Sequence, residues 1–349
     1  MHLFFLPSWF FTPLLVSHSL SGWALALLGL IFAGVGIQTR RWAWLAVAVA
    51  AAFLSLGGIV DGITNTTTEL LNLLTLLLVC GGVAALLFRQ SIDKANRRLL
   101  ATAPAVNETI ANARIAALPA PVQHWLAAAG CLQQPFPCIA EIQQSGNMRL
   151  RPGSRWLPFT ASQYSSVFAP AFSWDCRVRY GLFHLYGHDQ LMSGRASMRI
   201  SLAGMLPLVR SANNRQLISG ALTRWLAEIC WMPAAALGPL ISWQPVDANN
   251  AKAIVRIPGF VAEGIFSFDE AGRIVSFSSH RWKGSGKKAQ KLPWTITMNQ
   301  WATFTGVHIP VHCNIRWQVP RGAFEWMELE VADVRYYTHA TLNQVTKKQ

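Results

Sequence analysis

Three long apolar runs near the N-terminus constrain the folding of this chain more than any other feature. They cover residues 20–37, 42–60 and 70–88. As a helix, each run is long enough to cross the roughly 30 Å apolar core of a bilayer. The core helices of a soluble protein are the alternative, but the basic residues that flank these runs argue against it. The sequence therefore predicts a transmembrane region over residues 1–88 with three spans.

The charges predict how these spans are oriented. Residues 1–88 contain two basic and two acidic residues, so the formal net charge of +14 lies entirely in residues 89–349. Arg40 and Arg41 lie between the first two spans, the second loop has no basic residue, and four basic residues follow Phe88. Because short cytoplasmic loops are rich in Lys and Arg, the N-terminus is expected outside. The rest of the chain is expected in the cytoplasm, at a bacterial inner membrane.

Residues 3–16 do not fit a simple span. The segment is short, and it contains Pro7 and Pro13. It also lacks the basic start of a signal peptide. An interfacial segment and an extension of the first helix both remain open for it.

The basic character of residues 89–349 indicates an acidic partner. Beside a membrane, the nearest such partner is the anionic lipid surface. The basic residues are scattered, and no nucleic-acid-binding motif is present, so nucleic acid is not expected as a partner. The sequence does not identify protein partners. The six cysteines form no C-x-x-C pair and are expected to be buried, reduced thiols.

Beyond the membrane region, the chain is predicted to form a helical linker and a separate domain. Residues 89–117 have an amphipathic helical pattern that is interrupted near Pro104. A proline-rich stretch, 118–122, precedes a short helix over 123–129, which Gly130 ends. The domain is expected to span residues 118–340, with a tail over 341–349.

The domain is predicted to be rich in β-strands. Apolar and polar residues alternate over 174–180, 198–202 and 314–319, as expected for strands with one buried face. Turns are predicted at 269–272 and 320–322, and about eight to ten strands are expected in all. One amphipathic helix is predicted over 216–231. The fold class is therefore a membrane α-helical region plus an α+β domain, with an antiparallel, strongly curved, half-barrel-like sheet and a few packed helices.

Several short strings resemble an uncharacterised bacterial family known only as a domain of unknown function. They are Leu-Pro-Ala-Pro-Val at 118–122, Trp-Asp-Cys at 174–176, Gly-His-Asp at 187–189 and Arg-Trp-Leu-Ala-Glu at 224–228, which continues to Trp-Met-Pro at 231–233. The resemblance covers about residues 118–337. His188 departs from the family pattern, which has Arg there. The resemblance implies a shared fold and N-terminal membrane helices, but no reaction.

Candidate catalytic residues are Asp175, Asp189, Glu228 and His188. Paired carboxylates in one cleft can divide acid and base roles, and a histidine can assist them. The competing interpretation is structural. Asp175 lies on the polar face of its predicted strand, where pairing with a neighbouring arginine explains it without chemistry.

Candidate ligand-binding residues are mostly tryptophans, which suit both cores and apolar cavities. Arg224 and Glu228 are four residues apart on the predicted helix. A surface ion pair is the favoured interpretation, and a buried pair facing a ligand cavity is the alternative. The full candidate set is Trp174, Arg224, Trp225, Trp231 and Trp317.

No metal or cofactor is predicted. His184 and His188, and again His308 and His312, are spaced four residues apart. On strands, such pairs share a face, but no further ligand lies at a diagnostic spacing.

Three functions remain open at this point. The favoured one is a non-enzymatic, membrane-tethered module that binds a lipid or another hydrophobic ligand in its β-rich domain. The second is a membrane-associated, hydrolase-like enzyme that uses the Asp, Glu and His candidates. The third is a scaffold subunit of a membrane complex.

Overall fold

The computed structural model describes residues 66–104, 115–131, 135–284, 286 and 289–346, together with Leu28, Ile31 and Val49. The chain divides into two compact units. The first comprises Met1–Ser91 and Leu202–Leu206, and the second comprises Ile92–Ser201 and Pro207–Gln349. Most of the predicted spans over 20–37 and 42–60 lies outside the described residues, as does the segment over 3–16.

The helix α1, Thr66–Ala101, contains the third predicted span. Within its segment Leu73–Ala101, the most apolar window of 18 residues has a mean hydropathy of 1.9. Among the described residues, this is the one helix long and apolar enough to cross a membrane. Several of its leucines, among them Leu73, Leu76 and Leu77, are exposed. The third predicted span and the start of the predicted linker thus form one continuous helix.

Among its described residues, the second unit has three further helices: α2, Ala120–Ala128; α3, Arg215–Glu228; and α4, His339–Thr346. The α2 helix begins earlier than predicted because Pro121 is tolerated in a first turn, where its missing N–H has no partner to lose. The side chain of Asn214 caps α3 by accepting a bond from the Leu217 amide. Two 3-10 turns, Ile229–Trp231 and Pro233–Leu237, follow α3.

Thirteen strands form one sheet, more than the eight to ten predicted. Its order is β6-β5-β4-β3-β2-β1-β13-β12-β11-β10-β9-β8-β7. The strands are β1 Ile139–Met148, β2 Leu157–Ser166, β3 Phe172–Tyr180, β4 Phe183–Met192, β5 Arg195–Leu202, β6 Leu206–Ala212, β7 Ile241–Pro245, β8 Asn250–Ile257, β9 Phe260–Phe268, β10 Ile274–Lys283, β11 Gln290–Phe304, β12 Val307–Val319 and β13 Gly322–Tyr337.

The sheet is strongly curled. Six strands separate β4 from β10, and yet α3 packs against both. In a flat sheet, these two strands would lie about 34 Å apart, far beyond the roughly 10–12 Å diameter of a helix. The predicted antiparallel half-barrel with a helix across its concave face is therefore confirmed. We call the face that α3 covers the inner face, and the opposite one the outer face.

The inner face is predominantly apolar. Residues paired across neighbouring antiparallel strands share a face, so the register defines rows that run around the half-barrel. One row crosses eight strands, and all of its members are buried: Ala251, Phe266, Phe277, Ile296, Ile315, Met327, Met148 and Leu157. This row forms the apolar wall of the interior.

Part of the outer face is also covered. Leu99 and Leu100 of α1 pack in one cluster with Cys138 and Ile139 at the start of β1. Leu342 of α4 joins the same cluster. The sheet is therefore buried on both faces near the start of β1.

The predicted strand patterns hold for β3 and β12 but not for β5. In β3, Cys176 and Val178 are buried while Arg177 and Arg179 are exposed, as alternation requires. Tyr180, which was expected on the buried face, is exposed at the end of the strand. In β5, Met198 and Ile200 are only partly buried and Ser201 is buried. Alternation failed there because a strand near the sheet edge has no uniformly buried face. Both predicted turns, at 269–272 and 320–322, connect neighbouring strands.

The cysteines are unpaired, and five of them are buried. Cys80, which was expected to be buried, is exposed on α1. Burial raises the pKa of the Cys131 thiol to about 11 and that of Cys313 to about 12. These two thiols are therefore protonated and poorly reactive at neutral pH.

Candidate functional site

A group of charged and amide side chains interrupts the apolar inner face. We call Gln163, Asp189, Arg224, Glu228 and Arg281 the polar cluster. The strand register sets Gln163 of β2 opposite Trp174 of β3, and Trp174 opposite Asp189 of β4. These three side chains therefore form a row on the inner face, and Arg224 and Glu228 of α3 meet it from within.

Arg224 is the centre of the polar cluster. Its Nε donates to Glu228 Oε1 at 2.6 Å, and its two Nη atoms donate to Gln163 Oε1 at 2.8 Å and to Asp189 Oδ2 at 3.4 Å. Gln163 Nε2 in turn donates to Glu228 Oε2 at 2.7 Å. The guanidinium carbon lies 4.7 Å from the centre of the Trp174 ring. All three guanidinium nitrogens are thus engaged.

This pair is not the surface ion pair that the sequence favoured. The side chains of Glu228 and Arg224 are 7% and 14% exposed. The α3 helix lies inside the curled sheet, so its polar stripe faces the interior rather than bulk water. The Asp189 side chain retains 21% exposure, so solvent reaches this part of the interior. Burial raises the pKa of Asp189, while the charges of Arg224 and Arg281 oppose the rise.

Arg281, on β10, approaches the polar cluster from the other arm of the sheet. Its Nε donates to the Gly220 carbonyl of α3 at 2.9 Å. Its guanidinium carbon lies 4.7 Å from the Trp294 ring centre and 5.6 Å from that of Trp317. Burial lowers the pKa of Arg281 to about 10, with Arg224 acting in the same direction. The side chain therefore stays cationic at neutral pH.

Two further inner-face side chains have polar atoms without a partner among the described residues. Gln144 accepts a bond from Trp174 Nε1 at 2.9 Å, but its own Nε2 has none. Trp294 Nε1 also has none. Both residues are only 3% exposed. Because an unsatisfied buried donor costs about 1–3 kcal/mol, such groups call for an acceptor.

The four candidate catalytic residues lie on two faces of the sheet. Asp189, on the inner face, and Glu228, on the helix α3 that faces it, both bind Arg224. Asp175 and His188, which are register partners, lie on the outer face because side chains alternate along each strand. The four side chains therefore do not converge in one cleft.

His188 is buried on the outer face. Its Nε2 lies 3.0 Å from Ser173 Oγ, and Arg199 donates to its Nδ1 at 3.2 Å. Because Nδ1 accepts, the neutral ring donates from Nε2 to Ser173. Burial, followed by the charge of Arg199, lowers the pKa of His188 to about 3. The ring is thus neutral across the physiological pH range.

The tryptophan candidates divide into two groups. Trp174 and Trp317 lie against the two arginines of the inner face. Trp225 and Trp231 are core residues whose indole N–H groups donate to the carbonyls of Ser166 and Pro310. Their donors are satisfied, so they contribute packing rather than ligand contacts.

The histidines do not form a metal site within the part of the chain that the structure describes. His184 contacts Arg177, His308 contacts Thr303, and His312 contacts Asn299. No group of three His, Cys, Asp or Glu side chains is brought together among the described residues.

A separate pocket of about 160 Å³ lies in the loops at one end of the half-barrel. Cys131, Met232, Val307 and Tyr336 are among its mainly apolar lining residues. The Tyr336 hydroxyl donates to the carbonyl of Trp231 and is therefore already satisfied. Nothing in the sequence pattern indicated this pocket, since its lining comes from several distant loops.

Sequence reasoning identified Asp189, Arg224, Glu228, Trp174 and Trp317 but missed Gln144, Gln163, Arg281 and Trp294. The family-like strings had pointed to part of this site, because Trp174, Asp189, Arg224 and Glu228 all belong to them. No comparable string includes the missed residues. Their inward direction depends on the strand register, which was not available from the sequence.

Residues 108–329 match a family of unknown function, DUF6544. The match covers more than half of the chain, so this protein belongs to that family, as the sequence strings had indicated. No curated protein matches it.

Two solved structures are similar to this chain in part. One is a domain from Vibrio parahaemolyticus described as an outer membrane lipoprotein-sorting protein, with 10% identity and a TM-score of 0.35 over 66% of this chain and 97% of that one. The other is a LolA superfamily protein from Nitrosomonas europaea, with 8% identity and a TM-score of 0.28 over 61% and 92%. At these scores, the function of this chain has to be inferred from its own geometry.

The first prediction concerns the ion pairs of Arg224. Replacing Arg224 by Met leaves Asp189 and Glu228 in the interior without a cation. We expect the free energy of unfolding at neutral pH to fall by about 3–5 kcal/mol, as when one partner of a buried pair is removed. Urea unfolding followed by tryptophan fluorescence measures this. Arg335→Met, which breaks the exposed pair with Asp333, is the control and should shift the midpoint little. Equal shifts in the two variants would show that the interior ion pairs contribute no more to stability than the exposed one.

The second prediction concerns pH. Because the pKa of His188 in the folded state lies below its ordinary value of 6.5, the unfolded chain binds a proton that the folded chain does not. Stability should therefore decline as pH falls from about 6.5 toward 3, by on the order of 4 kcal/mol from this residue. In His188→Gln, the urea midpoint should depend less on pH between pH 6.5 and 4.5 than it does in the wild-type protein. His184 is a partly exposed histidine on the same strand, and His184→Gln should leave the pH dependence of the midpoint unchanged. An unchanged slope in His188→Gln would contradict the assignment.

Proposed function

We propose that this protein is a membrane-tethered module that holds a hydrophobic ligand inside its half-barrel. The observation that carries this proposal is the inner face, an apolar wall interrupted by one polar cluster and by unsatisfied donors. Sites for small hydrophobic ligands usually combine an apolar lining with a few convergent polar groups. The same face contains aromatic side chains, Trp174, Trp294 and Trp317, that offer large apolar contacts.

The position of α3 supports room for such a ligand. The helix packs against β4 on one arm and against β8, β9 and β10 on the other. The inner faces of the central strands lie between these two zones of contact. The partial exposure of Asp189 and Arg224 indicates that solvent enters this region. A ligand that replaced this solvent would bury its apolar surface at about 25 cal/mol per Å².

We further propose that α1 tethers the domain to the membrane. Only 28% of the apolar window in Leu73–Ala101 is buried, whereas the core helix of a soluble protein is mostly buried. Exposed leucines on this helix suit contact with lipid. The sequence-based expectation of three spans, an outer N-terminus and a cytoplasmic domain at a bacterial inner membrane belongs to this proposal, and so does the lipid membrane as partner.

The enzyme alternative has no observation in its favour. Its candidates lie on two faces of the sheet, and the two inner carboxylates already bind Arg224. For general acid–base work, a carboxylate must be available to the substrate at hydrogen-bond distance. Electrostatic support of Arg224 is the simpler role for Asp189 and Glu228.

The third prediction tests the ligand space. Ala161, a buried inner-face residue of β2, pairs with both Gln144 and Cys176. In Ala161→Phe, the added ring should occupy ligand space. We expect the free energy of unfolding to change by less than about 1 kcal/mol, because a cavity has room for the added ring, whereas a packed core would be strained by it. Binding is measured as saturable quenching of tryptophan fluorescence by 9,10-dibromostearic acid, with the full chain in mild detergent. Wild-type protein should show saturable quenching, and Ala161→Phe should not.

Thr160→Phe is the matched control, because Thr160 is the adjacent residue and its side chain is on the outer face. It should retain both stability and quenching. If wild-type protein shows no saturable quenching and Ala161→Phe is destabilised by several kcal/mol, the interior is a solid core and the proposed function is wrong.

The fourth prediction concerns orientation. Full-length chains fused at the C-terminus to green fluorescent protein or to alkaline phosphatase can be expressed in a Gram-negative bacterium. A cytoplasmic domain should give a fluorescent first fusion and an inactive second one, since the phosphatase needs an oxidising compartment for its disulfides. The opposite pattern would place the domain in the periplasm and contradict the orientation read from the basic loops.

A further inference from the structure

The unsatisfied polar atoms of the inner face are all donors. Gln144 Nε2 and Trp294 Nε1 have no acceptor among the described residues. Arg281 makes one hydrogen bond to the described part of the chain, from Nε, so its two Nη atoms add further donors. Among the described residues, the nearby acceptors Gln144 Oε1, Gln163 Oε1 and both Glu228 oxygens are in use, and no hydrogen bond joins Asp189 to any of these donors. A ligand that fits this interior must therefore supply acceptor atoms.

The two arginines differ in how their charges are compensated. Arg224 contacts both inner carboxylates within 4.0 Å. For Arg281, none of the described residues provides an ion pair at that distance, although Asp189 and Glu228 act on it from farther away. Arg281 is therefore the cation of this interior that lacks a direct counter-charge. Burying a cation without a direct counter-charge is unfavourable in free energy, and an anionic group on a ligand would offset that cost.

The geometry of Arg281 also limits how an anion can approach. Its Nε is occupied by the Gly220 carbonyl, so the side of the guanidinium fork that includes Nε is closed. The rings of Trp294 and Trp317 lie near the guanidinium group and restrict its rotation. The end of the fork, with Nη1 and Nη2, remains. Two parallel N–H groups in this position match two oxygens of one carboxylate or phosphate.

Building on the proposed function, we propose that the ligand is an amphipathic molecule with one anionic group, a carboxylate or a phosphate, that binds to the Nη atoms of Arg281. Its apolar part lies along the inner-face row. Trp294 Nε1, next to Arg281, donates to an oxygen of the same head group. The acyl carboxylate of a fatty acid and the phosphate of an anionic phospholipid share this chemistry.

Two pairs of probes test the anionic group with the full chain in mild detergent. The first pair is 9,10-dibromostearic acid and its methyl ester. The second pair is a phosphatidic acid and a phosphatidylcholine with the same dibromostearoyl chains. Within each pair, the brominated tail that quenches tryptophan is constant and only the head changes. The anionic member should bind at least about tenfold more tightly, as expected when a charge-assisted bidentate contact is gained. Selectivity in the first pair alone identifies a fatty acid, and selectivity in the second identifies a phospholipid.

Variants then assign the selectivity to Arg281. Arg281→Met keeps an apolar chain against Trp294 but removes the charge, and it should reduce the preference to less than about twofold. Arg281→Lys keeps the charge and should restore part of the preference. Arg256→Met removes an exposed arginine that bonds Ser242 and should leave the preference unchanged. Urea unfolding of each variant verifies that it is folded.

The outcomes separate this inference from the proposed function. If both members of each pair quench saturably with equal affinity in wild-type protein, the interior binds hydrophobic ligands but does not select an anion, and the inference fails alone. If Arg281→Met binds as selectively as wild-type protein, the anion lies elsewhere and the inference also fails. If no probe quenches saturably, the proposed function fails together with it.

Discussion

The contacts of Arg224 are the interaction on which the rest of this structure depends. Through it, α3 is bonded to β4 and β2 on one arm of the sheet, while Gly220 of the same helix accepts a bond from Arg281 on the other arm. An ion pair as buried as Arg224 with Glu228 is tolerated only when its members are well hydrogen-bonded, and Gln163 completes that bonding. The helix and the curvature of the sheet are thus mutually dependent: without the curl, α3 could not reach both arms, and without α3, the inner face would be open to water.

Much of this architecture was predictable from local patterns, because alternation and turn residues are local properties. The strands β3 and β12 and the turn after Asp269 follow from such patterns, and so does the helix predicted over 216–231, which begins at Arg215 and ends three residues early, at Glu228. The curved half-barrel was also anticipated. The site was predicted only in part because direction matters there. Arg281 lies in a run of polar and aromatic residues, and only its register against Leu292 places it on the inner face. The buried state of Glu228 likewise depends on where the helix lies and not on its sequence.

The two faces of the sheet bury different kinds of polar group. On the outer face, His188 is buried as a neutral ring, with Ser173 and Arg199 bonded to its two nitrogens. On the inner face, charges are retained, and several donors have no partner within the described chain. Buried atoms without a partner also occur on the outer face, since Arg149 and Trp326 are adjacent in sequence to the inner-face pair Met148 and Met327. The retained charges are what distinguish the inner face, and Arg281 has no carboxylate within ion-pair distance among the described residues.

The position of α3 has a consequence for kinetics. A separation of the helix from one arm would release a ligand enclosed between this helix and the central strands, since the strands themselves are joined by continuous hydrogen-bonded ladders. The longest of the polar bonds that α3 makes to the sheet is that from Arg224 to Asp189, at 3.4 Å. Exchange of cargo would then proceed at the rate of that opening and not at the rate of diffusion. Residence time, more than affinity, would be the property that this fold controls.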